Sequence, residues 1–228
     1  MKMKFLLIIL SFALFFTLPV STKAKEKKEL PEYTIEGLQR VPDTKDIAVV
    51  YAEAGADLAQ YNRIYLIEPY VAFKKNWQRD QNRGMGMKVK NTDMERIKIR
   101  VRELFMEVFT NELEKGGYTL TNERAEDVLI VRPAIIDLDV NAPDIMSAGR
   151  TDTYVRSAGS MTLYLELYDA ETDDLLAKAL DLKADRDRGF MHWQTGPANR
   201  QAAKRMMQPW AEALREGLDE ARNVSGQK

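Results

Sequence analysis

The hydrophobic and polar positions of this chain follow three rhythms. The first is an unbroken apolar run, residues 5–18 (FLLIILSFALFFTL), with Lys2 and Lys4 before it and Pro19 after it. At ~1.5 Å rise per residue its 14 residues cover about two-thirds of a ~30 Å hydrocarbon core, which is short for a membrane span. Thr22 and Ala24 put small residues at the two positions a signal peptidase reads. The pattern predicts a secretory signal over residues 1–24, cleaved between Ala24 and Lys25. Residues 25–46 are polar, contain Pro31 and Pro42, and keep no period, so they read as an extended leader.

The second rhythm has the helical period. Met94, Ile97, Val101, Leu104, Phe105, Val108 and Leu113 form one apolar stripe. Thr92-Asp93-Met94-Glu95 has the spacing of a capping box, and Gly116-Gly117 offer a left-handed stop. A helix of about six turns is predicted over residues 93–115. Met206, Trp210, Ala213, Leu214, Gly217, Leu218 and Ala221 predict a second amphipathic helix, with Pro209 at a kink or in the first turn.

The third rhythm belongs to strands. Residues 47–51 (IAVVY) predict a short strand, and residues 63–73 (RIYLIEPYVAF) a core strand interrupted near Pro69. Residues 127–140 are nearly all apolar, as in a strand buried on both faces. Met161, Leu163, Leu165 and Leu167 alternate with polar or aromatic neighbours. After a turn at Glu171-Thr172-Asp173-Asp174, Leu180, Leu182 and Ala184 alternate with Asp181, Lys183 and Asp185, which predicts a hairpin with its leucines inward and its acids solvated. These elements predict an α+β fold: a mostly antiparallel sheet with two long helices packed on one face, in one domain over residues 47–224.

Composition narrows the chemistry. The chain has no cysteine, hence no disulfide framework and no lipid-accepting cysteine behind the signal. Removing residues 1–24 leaves a net charge of −4, too near neutral to suggest a nucleic-acid binder. His192, the single histidine, sits between Met191 and Trp193 with no serine close in sequence, which favours a structural or surface role over a catalytic one. There is no Gly-x-Ser-x-Gly elbow and no Gly-Lys-Ser/Thr phosphate loop, and Gly84-Met85-Gly86 follows polar sequence, so it reads as a loop. Asp137, Asp139 and Asn141 match the first three ligand positions of a calcium loop. Ala142 and Ala148 occupy the sixth and twelfth, where glycine and glutamate belong, so an Asx-rich turn is the better reading. No metal, cofactor or catalytic residue is therefore expected.

One charge feature remains. Residues 74–102 hold ten basic and three acidic side chains, +7 against −11 for the rest of the chain after cleavage. The segment reads either as a solvated loop and helix face or as a patch for an anionic partner, carried by Lys74, Lys75, Trp77, Arg79 and Arg83.

Residues 61–83, Gly116-Gly117-Tyr118, residues 127–144 and residues 159–170 resemble a bacterial family known as the domain of unknown function 3313, and Val71-Ala72-Phe73-Lys74-Lys75-Asn76-Trp77 is the most specific stretch. The resemblance covers roughly residues 38–222. It implies an exported, envelope-associated domain with no assigned activity, and members are often labelled lipoproteins, which the missing cysteine contradicts here. Together these observations favour a periplasmic, non-enzymatic binding or accessory component of the cell envelope, with an anionic lipid, lipopolysaccharide or protein as partner. The rival is a periplasmic hydrolase working through a carboxylate pair.

Overall fold

The computed structural model describes residues 30–83, 88–141, 153–155, 157–185, 192–194 and 196–225. The chain divides into two compact units, Met1–Leu30 and Pro31–Lys228. The predicted signal and its cleavage point at Ala24 and Lys25 lie outside the described residues.

The second unit is α+β. Strands β1 (Gln39–Arg40), β2 (Val49–Ala52), β3 (Arg63–Leu66) and β4 (Tyr70–Phe73) lead into α1 (Trp77–Gln81) and α2 (Asn91–Lys115). Then come β5 (Thr119–Leu120), β6 (Val128–Val140), β7 (Thr153–Val155), β8 (Gly159–Asp169), β9 (Leu175–Ala184), β10 (His192–Gln194) and α3 (Gly196–Ser225). One sheet runs β1-β2-β9-β8-β6-β3-β5, with β4 also on β6, and β7 and β10 form a separate antiparallel pair.

The sheet is mixed, which corrects the mostly antiparallel expectation. β3 and β4 both run parallel to β6, and β5 runs parallel to β3, while the β6-β8-β9-β2 half is antiparallel. Pro69 causes part of this. It lacks the N–H a ladder needs, so residues 63–73 split into two strands that pair with successive stretches of β6. Residues 31–46, read above as the end of the leader, carry β1 and the buried Leu38.

Helix α2 starts two residues earlier than its stripe suggested. Its N-cap is Lys90, and the Asp93 carboxylate accepts the Lys90 backbone N–H at 2.9 Å, in the place assigned above to Glu95. At the other end Gly117 alone is left-handed (φ 78°). The N–H groups of Gly117 and Tyr118 close on the carbonyls of Glu114 and Leu113, a Schellman stop. The stripe buries Val101, Leu104, Phe105, Val108 and Leu113, and adds Phe109 stacked on Phe105 at 3.9 Å. In α3, Met206, Trp210 and Leu218 are buried with Met207 and Ala211. Pro209 lies well inside this helix, where it leaves the Arg205 carbonyl without its usual donor.

Both helices share one core cluster with the odd-numbered residues of β8, Met161 to Leu167, and with Leu129, Val131, Ile135 and Leu138 of β6. The shift from odd to even positions in β6 comes from a bulge between Ile136 and Asp139, centred on Asp137 at φ 51°. Before the bulge the strand is apolar in both registers because its other face is covered too. Only Val128 and Ile130 join a second, smaller cluster, with Tyr65, Ile67 and Tyr168.

In β9 the inward set is the reverse of the one expected. Leu180 and Leu182 are exposed (40% and 62%), whereas Asp181 and Asp185 are buried (6% and 8%). Pairing with β8 dictates this, since Leu163 of the core lies opposite Asp181. The acids are tolerated inward because α3 supplies donors. Trp210 Nε1 donates to Asp181 at 2.7 Å, and Arg205 holds Asp185 at 2.8 Å.

Candidate functional site

The motif around Trp77 is a structural device. Val71 is buried in β4, and the Phe73 and Trp77 rings stack with centroids 4.2 Å apart. Asn76 takes the left-handed φ of 64° that turns the chain between them, a conformation asparagine tolerates better than most residues. The Trp77 indole is buried and donates to the Val140 carbonyl at 3.2 Å, and Gln81 donates to the same carbonyl at 3.1 Å. Trp77 thus pins α1 to the end of β6.

The cations predicted as an anionic-partner patch are exposed, and most are matched locally. Lys74 pairs with Asp139 at 3.1 Å, Arg79 with Asp80 at 3.2 Å, and Arg83 with Asp80 at 3.8 Å. Lys75 is exposed beside them. Farther along, Arg96 pairs with Asp93 and Lys98 with Glu95. Within the segment, α1 lies against the end of β6 and Arg100 sits on α2.

Asp139 and Arg100 meet at a feature the sequence did not reveal, a cavity of about 470 Å³. Ile97, Arg100, Val101 and Leu104 of α2 line one wall, and Pro197, Arg200, Ala203 and Met206 of α3 another. The sheet side is made by Leu138, Asp139 and Val140 of β6 with Gly159, Ser160 and Met161 of β8. The β6 bulge turns Leu138 toward the helices. Gly159, at φ 140°, lets β8 close on it, since a Cβ there would come within 1.8 Å of the Asp139 carbonyl oxygen. Val101, Leu104, Leu138, Met161 and Met206 make a buried apolar floor, while Arg100 and Arg200 are exposed at the mouth. Arg200 is paired with Glu107, which Lys204 also approaches at 3.8 Å. The one sequence signal was the Asp137-Leu138-Asp139 interruption of an apolar run, read as a turn when it marks a bulge.

Other sites of polar chemistry are internally satisfied. Glu112 of α2 takes Lys115, Gln208 and Arg215, and these bonds, Lys115 foremost, hold it below the usual glutamate range against the opposing effect of burial. Burial and then the bond to Asp169 push Tyr61 up to about 12. On the sheet face away from the helices, Glu166 accepts from Tyr164 (2.6 Å) and Tyr168 (2.9 Å). Tyr164 is likewise pushed up to about 12, chiefly by burial, so both phenols stay protonated at neutral pH. Asp93 is held by Lys90 and Arg96, and Asp185 by Ala158 and Arg205.

The calcium-like positions do not converge. Asp137 is the exposed bulge residue, Asp139 faces Lys74, and the Asn141 amide donates to the Ser157 carbonyl at 3.0 Å. Ala142 and Ala148, like Gly84-Met85-Gly86, lie outside the described residues. Among the described residues no group of three or more His, Asp or Glu could hold a metal, and no helix is long and apolar enough to cross a membrane. His192 falls in β10, opposite Val155 of β7, and its side chain is outside the described set.

Residues 29–214 match the family described as Protein of unknown function (DUF3313), and the chain is a member of it. No curated protein matches the chain. Solved structures resemble it weakly. A PelC dodecamer from Paraburkholderia phytofirmans is 12% identical, with 73% of this chain and 96% of that one covered and a TM-score of 0.38. A protein of family DUF330 from Xanthomonas campestris is 11% identical, with coverages of 74% and 89% and a TM-score of 0.42. A minor lipoprotein from Acinetobacter baumannii is 11% identical, with coverages of 73% and 94% and a TM-score of 0.30. These likenesses assign nothing to the chain.

Proposed function

We propose that this chain is an exported, periplasmic component of the bacterial cell envelope that binds its partner without chemistry, as an accessory rather than an enzyme. The cavity between α2, α3 and the bulged end of β6 carries this reading. Pockets of ~300–1,000 Å³ with apolar walls and a few polar groups at the rim are the usual form of a small-molecule site, and this one has about 470 Å³ with such walls. Its described lining includes one carboxylate, Asp139, already paired with Lys74, where a hydrolase would need two. Lys74, Lys75, Arg79 and Arg83, on the neighbouring segment, would draw an anionic envelope partner toward the same end of the domain; Trp77 would serve it by holding α1 in place.

The test is binding of the neutral, environment-sensitive dye Nile red to the mature protein. Saturable binding by wild type, weakened about tenfold or more by Ala203→Trp in a folded protein, is expected, because the indole would occupy the cavity. Equal binding by both, or none by wild type, would refute the reading. N-terminal sequencing of periplasmic material should begin at Lys25, and material that still begins at Met1 would refute export by cleavage.

A further inference from the structure

We propose that residues 197–204, the first turns of α3, form a lid over the cavity that swings on the turn ending at Pro209 and is latched to α2 by Glu107. The proposal rests on the cavity reading above and adds how the ligand enters.

Helix α3 has two unequal arms. Beyond Pro209 it is anchored: Trp210, Ala211 and Leu218 are buried, Trp210 donates to Asp181 at 2.7 Å, and Arg215 reaches Glu112 at 2.9 Å. From residue 197 to residue 204 Ala202 is the one buried side chain, and Pro197, Arg200, Gln201 and Lys204 are exposed. So few buried contacts place this arm at the low end of local stability. It is also the arm that closes the cavity, through Pro197, Asn199, Arg200 and Ala203. Between the arms Pro209 cannot donate to the Arg205 carbonyl, so the helix bends most readily in the turn from 205 to 209. Met207, fully buried, and Arg205, paired with Asp185 at 2.8 Å, keep that turn seated as a pivot.

The opposite wall is fixed. Helix α2 has no proline and buries Val101, Leu104, Phe105, Val108 and Phe109 along the facing stretch. What it offers the lid is Glu107, exposed on its surface, which pairs with Arg200 and lies 3.8 Å from Lys204. Ion pairs this exposed are weak, each shifting an equilibrium by no more than about fivefold, which suits a latch that must release. The pairing forms whenever the lid is shut, with or without a ligand beneath it. Its loss therefore speeds entry and exit alike and leaves the affinity nearly unchanged.

Stopped-flow fluorescence of Nile red with the mature protein tests the lid. In wild type the observed rate should rise with dye concentration and then level off at the rate of lid opening. Glu107→Gln should raise the association and dissociation rates together by about two- to fivefold, with the Kd changed by less than about twofold. Glu107→Lys, which repels Arg200 and Lys204, should raise both rates further. Raised salt should speed wild type and leave Glu107→Gln at its own rates, because the Debye length falls from ~10 Å at 0.1 M to ~3 Å at 1 M. Pro209→Ala restores the missing N–H and should slow both rates. A rate that stays linear in dye concentration overturns the lid. Rates unchanged in both Glu107 variants, or a changed Kd with an unchanged association rate, overturn the latch. Unchanged rates in a folded Pro209→Ala protein overturn the pivot. Absence of Nile red binding by wild type overturns the cavity reading itself.

Discussion

Asp181 offers the sharpest test of how this domain is held together. By alternation it should face water; instead it is 6% exposed beneath Trp210, whose ring is 1% exposed. It accepts from Trp210 Nε1 at 2.7 Å and the Ala48 backbone N–H at 2.9 Å, with Lys183 at 3.1 Å. Asp181→Ala would strand the indole N–H in the core. A hydrogen bond to a charged group contributes about 1.5–3 kcal/mol, and a buried donor left unpaired costs about 1–3 kcal/mol. Ala48 is exposed, so its N–H can turn to water, and Lys183, with its side chain 28% exposed, keeps its bond to the Asp46 carbonyl. Relief from burying a charge offsets part of the loss, so about 2–3 kcal/mol is expected. For a domain of this size that lowers the melting temperature by roughly 5–10 °C. Urea titrations of wild type, Asp181→Ala, Trp210→Phe and the double variant should give a coupling of about 1–2 kcal/mol. Leu182→Ser, on the outward side, should change stability by no more than about 0.5 kcal/mol. An Asp181→Ala loss below about 0.5 kcal/mol, or strictly additive single variants, would refute this account of β9.

Phe105 is fully buried and stacked on Phe109, so Phe105→Ala should cost about 3–5 kcal/mol in the same titration; a loss near zero would mean α2 does not pack as described. Glu112 bridges α2 to α3 with its folded pKa held below the ordinary 4.5. A depressed carboxylate contributes stability that is present above its unfolded pKa and is lost as pH falls through the folded one. Glu112→Gln should therefore be less stable than wild type at neutral pH, with the gap closing as pH falls below about 4.5 and through the depressed folded value; a gap independent of pH would show that Glu112 is not the titrating group.

The helices were legible because their period repeats over many turns. The stripe from Val101 to Leu113 and the Gly117 stop depend on residues close in sequence, and the structure kept both. The break at Pro69 was legible for the same reason: a missing N–H is a property of one residue. The motif at residues 71–77 could be seen as distinctive, but not as the stacked Phe73–Trp77 pair and left-handed Asn76 that explain it.

What the sequence by itself determined is the set of elements and the class, because helical and strand periods, caps and breakers act within a few residues. Only the tertiary structure decided the strand directions, the inward side of β9 and the cavity. The partners of β6 come from residues far apart in the chain, and nothing local distinguishes a parallel neighbour from an antiparallel one. Asp181 and Asp185 could turn inward only because Trp210 and Arg205 on α3 meet them there. The cavity exists because one extra residue near Asp137 shifts the phase of β6, Gly159 lets β8 close on it, and two helices separated by most of the sheet's sequence leave a gap above both. A gap between elements has no residues of its own, so the Asp137-Leu138-Asp139 interruption could mark the bulge but not the cavity beside it.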